Sequence, residues 1–518
     1  MSTPRTASPE SMVNCEVIDY LRLACAPSFY KAYQGRRYCV LHYPGEDKDD
    51  GEFQREVDRK LECGNFNFDG AVGPYFNFDF ARLNIPRVFK NASFNHAFFY
   101  HPCDFRYAEF EGNASFFQAV FAQGANFYAA KFRGEAHFQD SEFKVADLEQ
   151  ETKAADFEHA TFAEKATFSG SSFSKAVYFD SASFQGDASF ASAKFAHSEE
   201  GNRSLAVACN YVTFYGDADF SQAFFCHRGS FNQSVFKGDV LFRAALIREP
   251  VVFTHAVFEK ALLFEGYLPV TEGGPSGPVF EPGSSLDLQY ARFEKPEKVV
   301  FQDVALRPCW FVNVDARKFL FTNPRWPRPV LALRWVREDL ETLRVREVND
   351  YQDSLAVACQ RLAVNADENQ RYEEASAFRF AALDLRRLGK RLGGLFWRLE
   401  WWYWFASGYS ERLFRAIAIL VCIWLAFGFA YCKADFLQVP VPKNTAEAIR
   451  AQTNKPVLVA PFGLRDALQY SAAVMTLQKP EPKPVTSLGD ALVLLETVIG
   501  PVQAALLVLA VRRRFMHS

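Results

Sequence analysis

The sequence predicts a β-solenoid followed by an α-helical linker and a two-helix transmembrane hairpin. Three observations carry that prediction. Phenylalanine recurs on an alternating step of five and six residues, a small residue sits two positions before almost every ring, and two long apolar stretches near the C-terminus are flanked by arginines. The rings run from Phe89 through Phe94, Phe99 and Phe105 to Phe143, resume from Phe157 to Phe195, and return from Phe214 to Phe264 with Ile247 in place of one of them. A helix would need apolar spacings near three and four, and a strand spacing two, so neither template fits. Stacked coils do fit, because each ring finds cover only when the next coil lies on it.

Residues 1–63 form an N-terminal Cys/His module. Cys39 and His42 have the Cys-x2-His spacing that places a thiolate and an imidazole on one ion, and Cys15 with Cys25 can complete a tetrahedral zinc site. A segment this short builds little core, so a metal would explain how it folds. The Cys15–Cys25 spacing is longer than that of common zinc fingers, and the same residues also read as free thiols beside a surface histidine. Phe53, Val57 and Leu61 trace a short amphipathic helix expected to cap the first coil. The first nine residues lack the apolar run of a secretion signal, and eleven scattered cysteines point to reduced thiols, so a cytoplasmic rod is expected.

The rod covers residues 64–320. Segments such as Ala155-Asp156-Phe157, Ala218-Asp219-Phe220 and Gly124-Ala125-Asn126-Phe127 resemble the pentapeptide-repeat family, whose units read roughly A-(D/N)-(L/F)-x-x. The resemblance implies a right-handed quadrilateral β-helix with the central ring and the preceding Ala both facing its axis. The extra residue in alternate units departs from the family and sets a four-sided coil at ~22 residues; at ~4.8 Å per coil the rod would be ~40 Å long. Phe rather than Leu makes the interior an aromatic stack, each ring contributing about 1.5 to 3 kcal/mol of burial. The register breaks after Phe143, after Phe195 and after Phe264, and such insertions are either partner-binding features or neutral indels. Cys103, Cys209 and Cys226 read as small buried hydrophobes. From Gly64 to Phe264 there are 23 acidic and 17 basic residues, interspersed, so no nucleic-acid partner is expected.

A helical hairpin is expected over 335–393. Leu355, Cys359, Leu362 and Ala363 make one stripe, and Tyr372, Ala375, Phe378 and Leu385 continue it after a turn at Asn365–Asn369. The run Arg371–Arg379 resembles the second helix of a tetratricopeptide-type hairpin. The membrane domain, 394–518, comprises an interfacial helix at 394–408, rich in Trp397, Trp401, Trp402 and Trp404, a span at 413–432, a re-entrant helix at 462–476 and a span at 488–511. Basic residues at both outer flanks place the rod and the C-terminus together in the cytoplasm, at the inner (plasma) membrane as a multi-pass protein. The alternative is a buried apolar hairpin in a soluble protein.

Glu496, Gly500 and Gln503 share one face of the second span, a stripe that ordinarily faces a pore or packs helices, so a homo-oligomer in the lipid bilayer is expected. Gly500-Pro501 beside the stripe is a candidate kink. Span, short helix, span resembles the pore unit of potassium-channel-like proteins. Where that family shows Thr-x-Gly-Tyr-Gly, this chain has Leu477-Gln478-Lys479-Pro480 after Thr476, which cannot supply the filter carbonyls. Two functions follow as expectations: a membrane-anchored cytoplasmic scaffold that offers its repeat faces to an unknown protein partner, or an ion channel, non-selective or gated, controlled by the repeat domain. No enzyme is expected, because His96, His101, His137, His159, His227 and His255 are scattered without catalytic partners and read as outward turn residues.

Overall fold

Each ring of the rod stacks on its counterpart one coil away. The computed structural model describes residues 15–16, 24–73, 76, 78, 83, 85–145, 153–196, 205–266, 279–327, 332–389, 399–409, 412–432, 463–480 and 487–515. The insertions at 146–152, 197–204 and 267–278, the segment 394–398 and Phe462 lie outside the described residues. The chain divides into two compact units, Met1–Thr342 and Leu343–Ser518.

The first unit is a pile of short parallel strands that recur in four ladders, consistent with a β-helix or solenoid. Phe110 pairs with Phe132 and Phe121 with Phe143, so an uninterrupted coil takes 22 residues. In-register pairing forces like side chains one above another. Phe89, Phe110, Phe132, Phe162, Phe184, Phe214, Phe236 and Phe258 stack at 4.6–5.0 Å with nearly parallel planes. Across the interior, rings meet edge to face, as in Phe116–Phe127 at 5.5 Å and 84°. Stacking along the axis and edge contacts across it are the two arrangements the ring quadrupole favours.

The alternating step has a local cause. At the five-residue corners the chain makes a tight turn: Ala97 donates its N–H to the Phe94 carbonyl at 3.1 Å, and His96 between them has φ +56°. That is the signature of a type II turn, and the small residue before the next ring closes it. The left-handed residue costs roughly 1 kcal/mol without glycine, but its N–H is used: His96 donates to Phe117 and Tyr107 to Tyr128 in the next coil, at 2.8 and 2.9 Å. Where Ser141 replaces Ala, its buried hydroxyl donates to the Phe116 carbonyl at 2.6 Å.

The six-residue corners carry Gly-Asp pairs that the sequence reading passed over. A Cβ at Gly238 would lie 2.1 Å from the Gly216 carbonyl oxygen of the coil beneath, so only glycine permits this approach. The aspartates then bridge coils: Asp187 accepts from the Asp217 N–H at 2.9 Å, Asp217 from Asp239 at 2.8 Å, and Asp239 from Ala261 at 3.0 Å. We expect Gly238→Ala to destabilise the rod by about 1–3 kcal/mol, because backbone must move to admit the methyl. The midpoint of denaturant unfolding measures it, and an unchanged midpoint would show that the corner is looser than described.

Three expectations need correction. The register breaks after Phe195 as expected, but the ring series resumes before Phe214, at Cys209, which occupies a ring position in register with Phe179 and Phe231. Burial pushes its thiol well above the ordinary range. Native protein should therefore leave Cys209 unlabelled by maleimide while the exposed Cys63 reacts, a difference that peptide mapping reads directly. Not every histidine is a turn residue: His96, His159 and His255 hold left-handed corners, but His137 lies in a strand with Nε2 3.2 Å from Glu135. The expected turn at Asn365–Asn369 is helical through Glu368 and falls at Asn369–Arg371, where Gln370 has φ +59° and the Asn365 side chain accepts from Arg371 at 2.8 Å.

Helix α1 (Asp50–Glu62) starts on Asp49, whose side chain accepts the Glu52 N–H at 2.7 Å, and buries Phe53, Val57 and Leu61 as expected. Phe53 meets Phe76 edge-on at 4.9 Å, and Phe76 meets Phe99 of the next coil at 4.6 Å, so α1 covers the open end of the ring stack. At the other end Phe311 and Trp326 close on Phe321. Helix α2 begins at Ala332, ahead of the expected 335, and runs to Val345. Its buried Asp339 accepts from Arg307 Nε at 2.7 Å and from the Cys309 N–H at 3.2 Å, which ties the helix to the last coils.

In the second unit α3 (Tyr351–Glu368) and α4 (Tyr372–Gly389) form an antiparallel pair, with Arg379 on Asp367 and Arg386 on Gln360. Then follow α5 (Leu399–Ser407), α6 (Leu413–Tyr431), α7 (Leu464–Met475) and α8 (Ser487–Phe515). Two of these, α6 and α8, are long and apolar enough to cross a membrane. Pro501 lies inside α8, which continues through it.

Candidate functional site

Two polar constellations stand out, one in each unit. The first is built by a hairpin that the sequence reading missed. Strands Phe29–Tyr33 and Arg36–Cys39 pair antiparallel, and past Cys39 the chain turns back, with the N–H groups of His42 and Tyr43 both donating to the Cys39 carbonyl. That turn swings the imidazole over the thiol. Cys15 is laid beside the second strand by the Glu16 N–H to Arg37 carbonyl bond at 2.7 Å, and its sulfur accepts the Cys39 N–H at 3.3 Å. Cys25 follows Ala24, whose carbonyl accepts Lys60 Nζ from α1 at 3.2 Å.

The ligand atoms of Cys15, Cys25, Cys39 and His42 all lie within 4.8 Å of one another and can hold a metal ion. His42 Nδ1 is 3.1 Å from Cys39 Sγ, 3.5 Å from Cys25 Sγ and 3.8 Å from Cys15 Sγ. A tetrahedral ion bound at about 2.3 Å to sulfur and 2.0 Å to nitrogen separates its ligands by roughly 3.5–3.8 Å, so the cage has the right size. The opposite ring nitrogen, Nε2, is 2.8 Å from the Asp69 carbonyl. Donation there leaves the Nδ1 lone pair facing the sulfurs, the outer-shell arrangement that orients a ligating histidine. Asp69 also accepts the Asn95 N–H at 2.8 Å, so the cage is linked to the first coils.

Three sulfurs this close cannot all be charged without a cation. Hydrogen bonds from Cys15 and Cys25 hold the Cys39 thiol far below its ordinary range, and bonds to Cys15 and Cys39 push Cys25 up. Burial alone would lower His42, yet its contacts with Cys15 and Cys39 leave it raised to about 9. Nearby Lys48, pushed down to about 7 by burial, donates to the Leu41 carbonyl at 3.2 Å and to Val72. Neither lysine carried a readable signal in the sequence.

The second constellation is the stripe on α8. Glu496 is fully buried and accepts hydrogen bonds from Tyr431 of α6, at 2.6 Å, and from Ser471 of α7. Gly500 lets α7 close in, since a Cβ there would meet Met475 at 3.0 Å. Gln503 donates to the carbonyls of Ala406 and Ala416 at 2.9 and 3.0 Å. The stripe thus faces α5, α6 and α7 of its own chain, so Glu496 and Gln503 no longer require a second copy to satisfy them. Meanwhile Phe414, Phe429, Leu494, Val502 and Val508 are exposed. In α6 and α8 large apolar side chains thus face outward, while the polar stripe lies inside.

Comparison of the chain with family models, curated proteins and solved structures finds no match.

Proposed function

We propose that this protein is a non-enzymatic scaffold: a pentapeptide-type, right-handed quadrilateral β-helix, capped by a zinc-bound N-terminal module and carried by a helical membrane anchor. The observation that supports the anchor best is the apolar outer surface of α6 and α8 around a buried polar stripe. Fully buried Glu496 beside Phe414 at 76% and Leu494 at 73% exposure is a distribution that water would disfavour and hydrocarbon would favour. Zinc suits the donor set, because three thiolates and one imidazole are a structural-zinc combination that leaves no open position. A protein partner is favoured on the rod by Tyr107, Tyr211 and Tyr290, which are exposed at corners following one ladder and offer amphipathic contact area.

Alkaline carbonate extraction of cell membranes tests the anchor: the full chain should stay in the pellet, and its release to the supernatant overturns the reading. Bilayer recording separates scaffold from channel. Silence under varied voltage is the expected result, since Glu496 and Gln503 are engaged by partners in their own chain. A conductance altered by Glu496→Gln would replace the scaffold reading with the pore.

A further inference from the structure

We propose that Arg387, Arg412 and Arg415 form a binding site for a phosphate anion of the kind carried by anionic phospholipid headgroups. The inference rests on the reading of α6 as a membrane span. Its geometry comes from three elements of the second unit. Arg387, on α4, places its guanidinium carbon 4.1 Å from the Trp404 ring of α5, and Arg415, in the first turn of α6, places its own 4.5 Å from the same ring. Arg412, just ahead of α6, lies 4.4 Å over Phe380. Phe380 meets Tyr409 at 5.9 Å, and Tyr409 meets Tyr403, the chain neighbour of Trp404, at 5.6 Å.

The charge of this cluster is unbalanced. Asp384 engages Arg387 through two hydrogen bonds to one oxygen, at 2.7 and 2.9 Å. Among the described residues Arg412 and Arg415 make no ion pair. Arg387 adds charge while its edge serves Asp384, whereas Arg412 and Arg415 rest on rings through the guanidinium face and can offer an N–H edge that matches two phosphate oxygens. Arg412 is also the N-cap of a 19-residue helix with no side-chain cap, so the open N–H groups of the first turn add partial positive charge at the same place. Trp402 and Phe405, exposed on α5, mark the headgroup level at which such basic pockets meet lipid.

The test titrates the full chain, in a detergent with an uncharged headgroup, with phosphatidylglycerol, phosphatidylcholine of the same acyl chains, and inorganic phosphate. A basic residue near an anionic surface contributes about a fivefold factor, so phosphatidylglycerol should bind ~30-fold more tightly than phosphatidylcholine. The double variant Arg412→Gln/Arg415→Gln should lose that preference to within about twofold. Arg386→Gln, on the exposed face of α4, should keep it. If the double variant melts early, Arg412→Lys/Arg415→Lys retains the charge without the fork and should bind phosphatidylglycerol several-fold more weakly than wild type. Stabilisation by inorganic phosphate equal to that by the lipid assigns the site to a free anion. Equal binding of the two lipids, a preference that survives in Arg412→Gln/Arg415→Gln, or undiminished affinity in Arg412→Lys/Arg415→Lys overturns the site, and the carbonate experiment reports separately on the span.

Discussion

Cys39→Ser is expected to strip the metal from the N-terminal module and open residues 1–63 to protease while the rod stays folded. Cys39 is the ligand to choose because it is fully buried and its sulfur is the one closest to His42 Nδ1, at 3.1 Å. Serine keeps the volume but has no thiolate, and a structural zinc site supplies about 10–16 kcal/mol that is largely folding free energy. Loss of one ligand of four should weaken zinc by at least a hundredfold, on the order of a quarter of that energy. Metal analysis of purified protein should read one zinc per chain in wild type and none in the variant, and a chelator should reproduce the proteolysis pattern. Wild-type protein that is metal-free yet fully protected would remove the proposal.

How far the sequence reached depends on whether a residue's partner lies at a fixed offset. Ring positions were legible because stacked coils repeat one environment at one spacing, so Phe110 announces Phe132. Cys15, Cys25, Cys39 and His42 were legible by their chemistry, although the hairpin at Phe29–Cys39 that brings them together was not, since its strands are short and mix aromatic with basic residues. Cys209 stayed hidden because a small thiol at a ring position breaks the pattern from which that position is recognised. Glu496 could be flagged as needing partners, but Tyr431 and Ser471 could not be named: they come from two other helices, 65 and 25 residues away, at no periodic interval. For the same reason the stripe suggested a second chain when the structure supplies partners from the first.

The largest effect on the rod is expected from Phe138→Ala. Phe138 is fully buried, stacked 4.7 Å from Phe116 and 4.9 Å from Phe168, with Phe127 and Phe157 edge-on at 5.4 Å each. Removing a ring enclosed on all sides costs its transfer energy and leaves a cavity, together about 3–5 kcal/mol. Collapse cannot relieve the hole, because the Phe116 and Phe168 side chains are held apart by backbone ladders on the coils above and below: Phe116 donates to the His137 carbonyl and Phe138 to Thr167, both at 2.7 Å. In a stacked array each coil contacts only its neighbours, so the damage should also be local. Hydrogen exchange should rise first in the coils containing Phe116, Phe138 and Phe168, with the coils near Phe258 protected as before. Phe138→Leu, which keeps most of the volume but removes the ring-to-ring contacts, should fall between the two. A uniform rise along the whole rod would mean that the coils unfold as a single cooperative block and that the ring stack transmits the loss end to end.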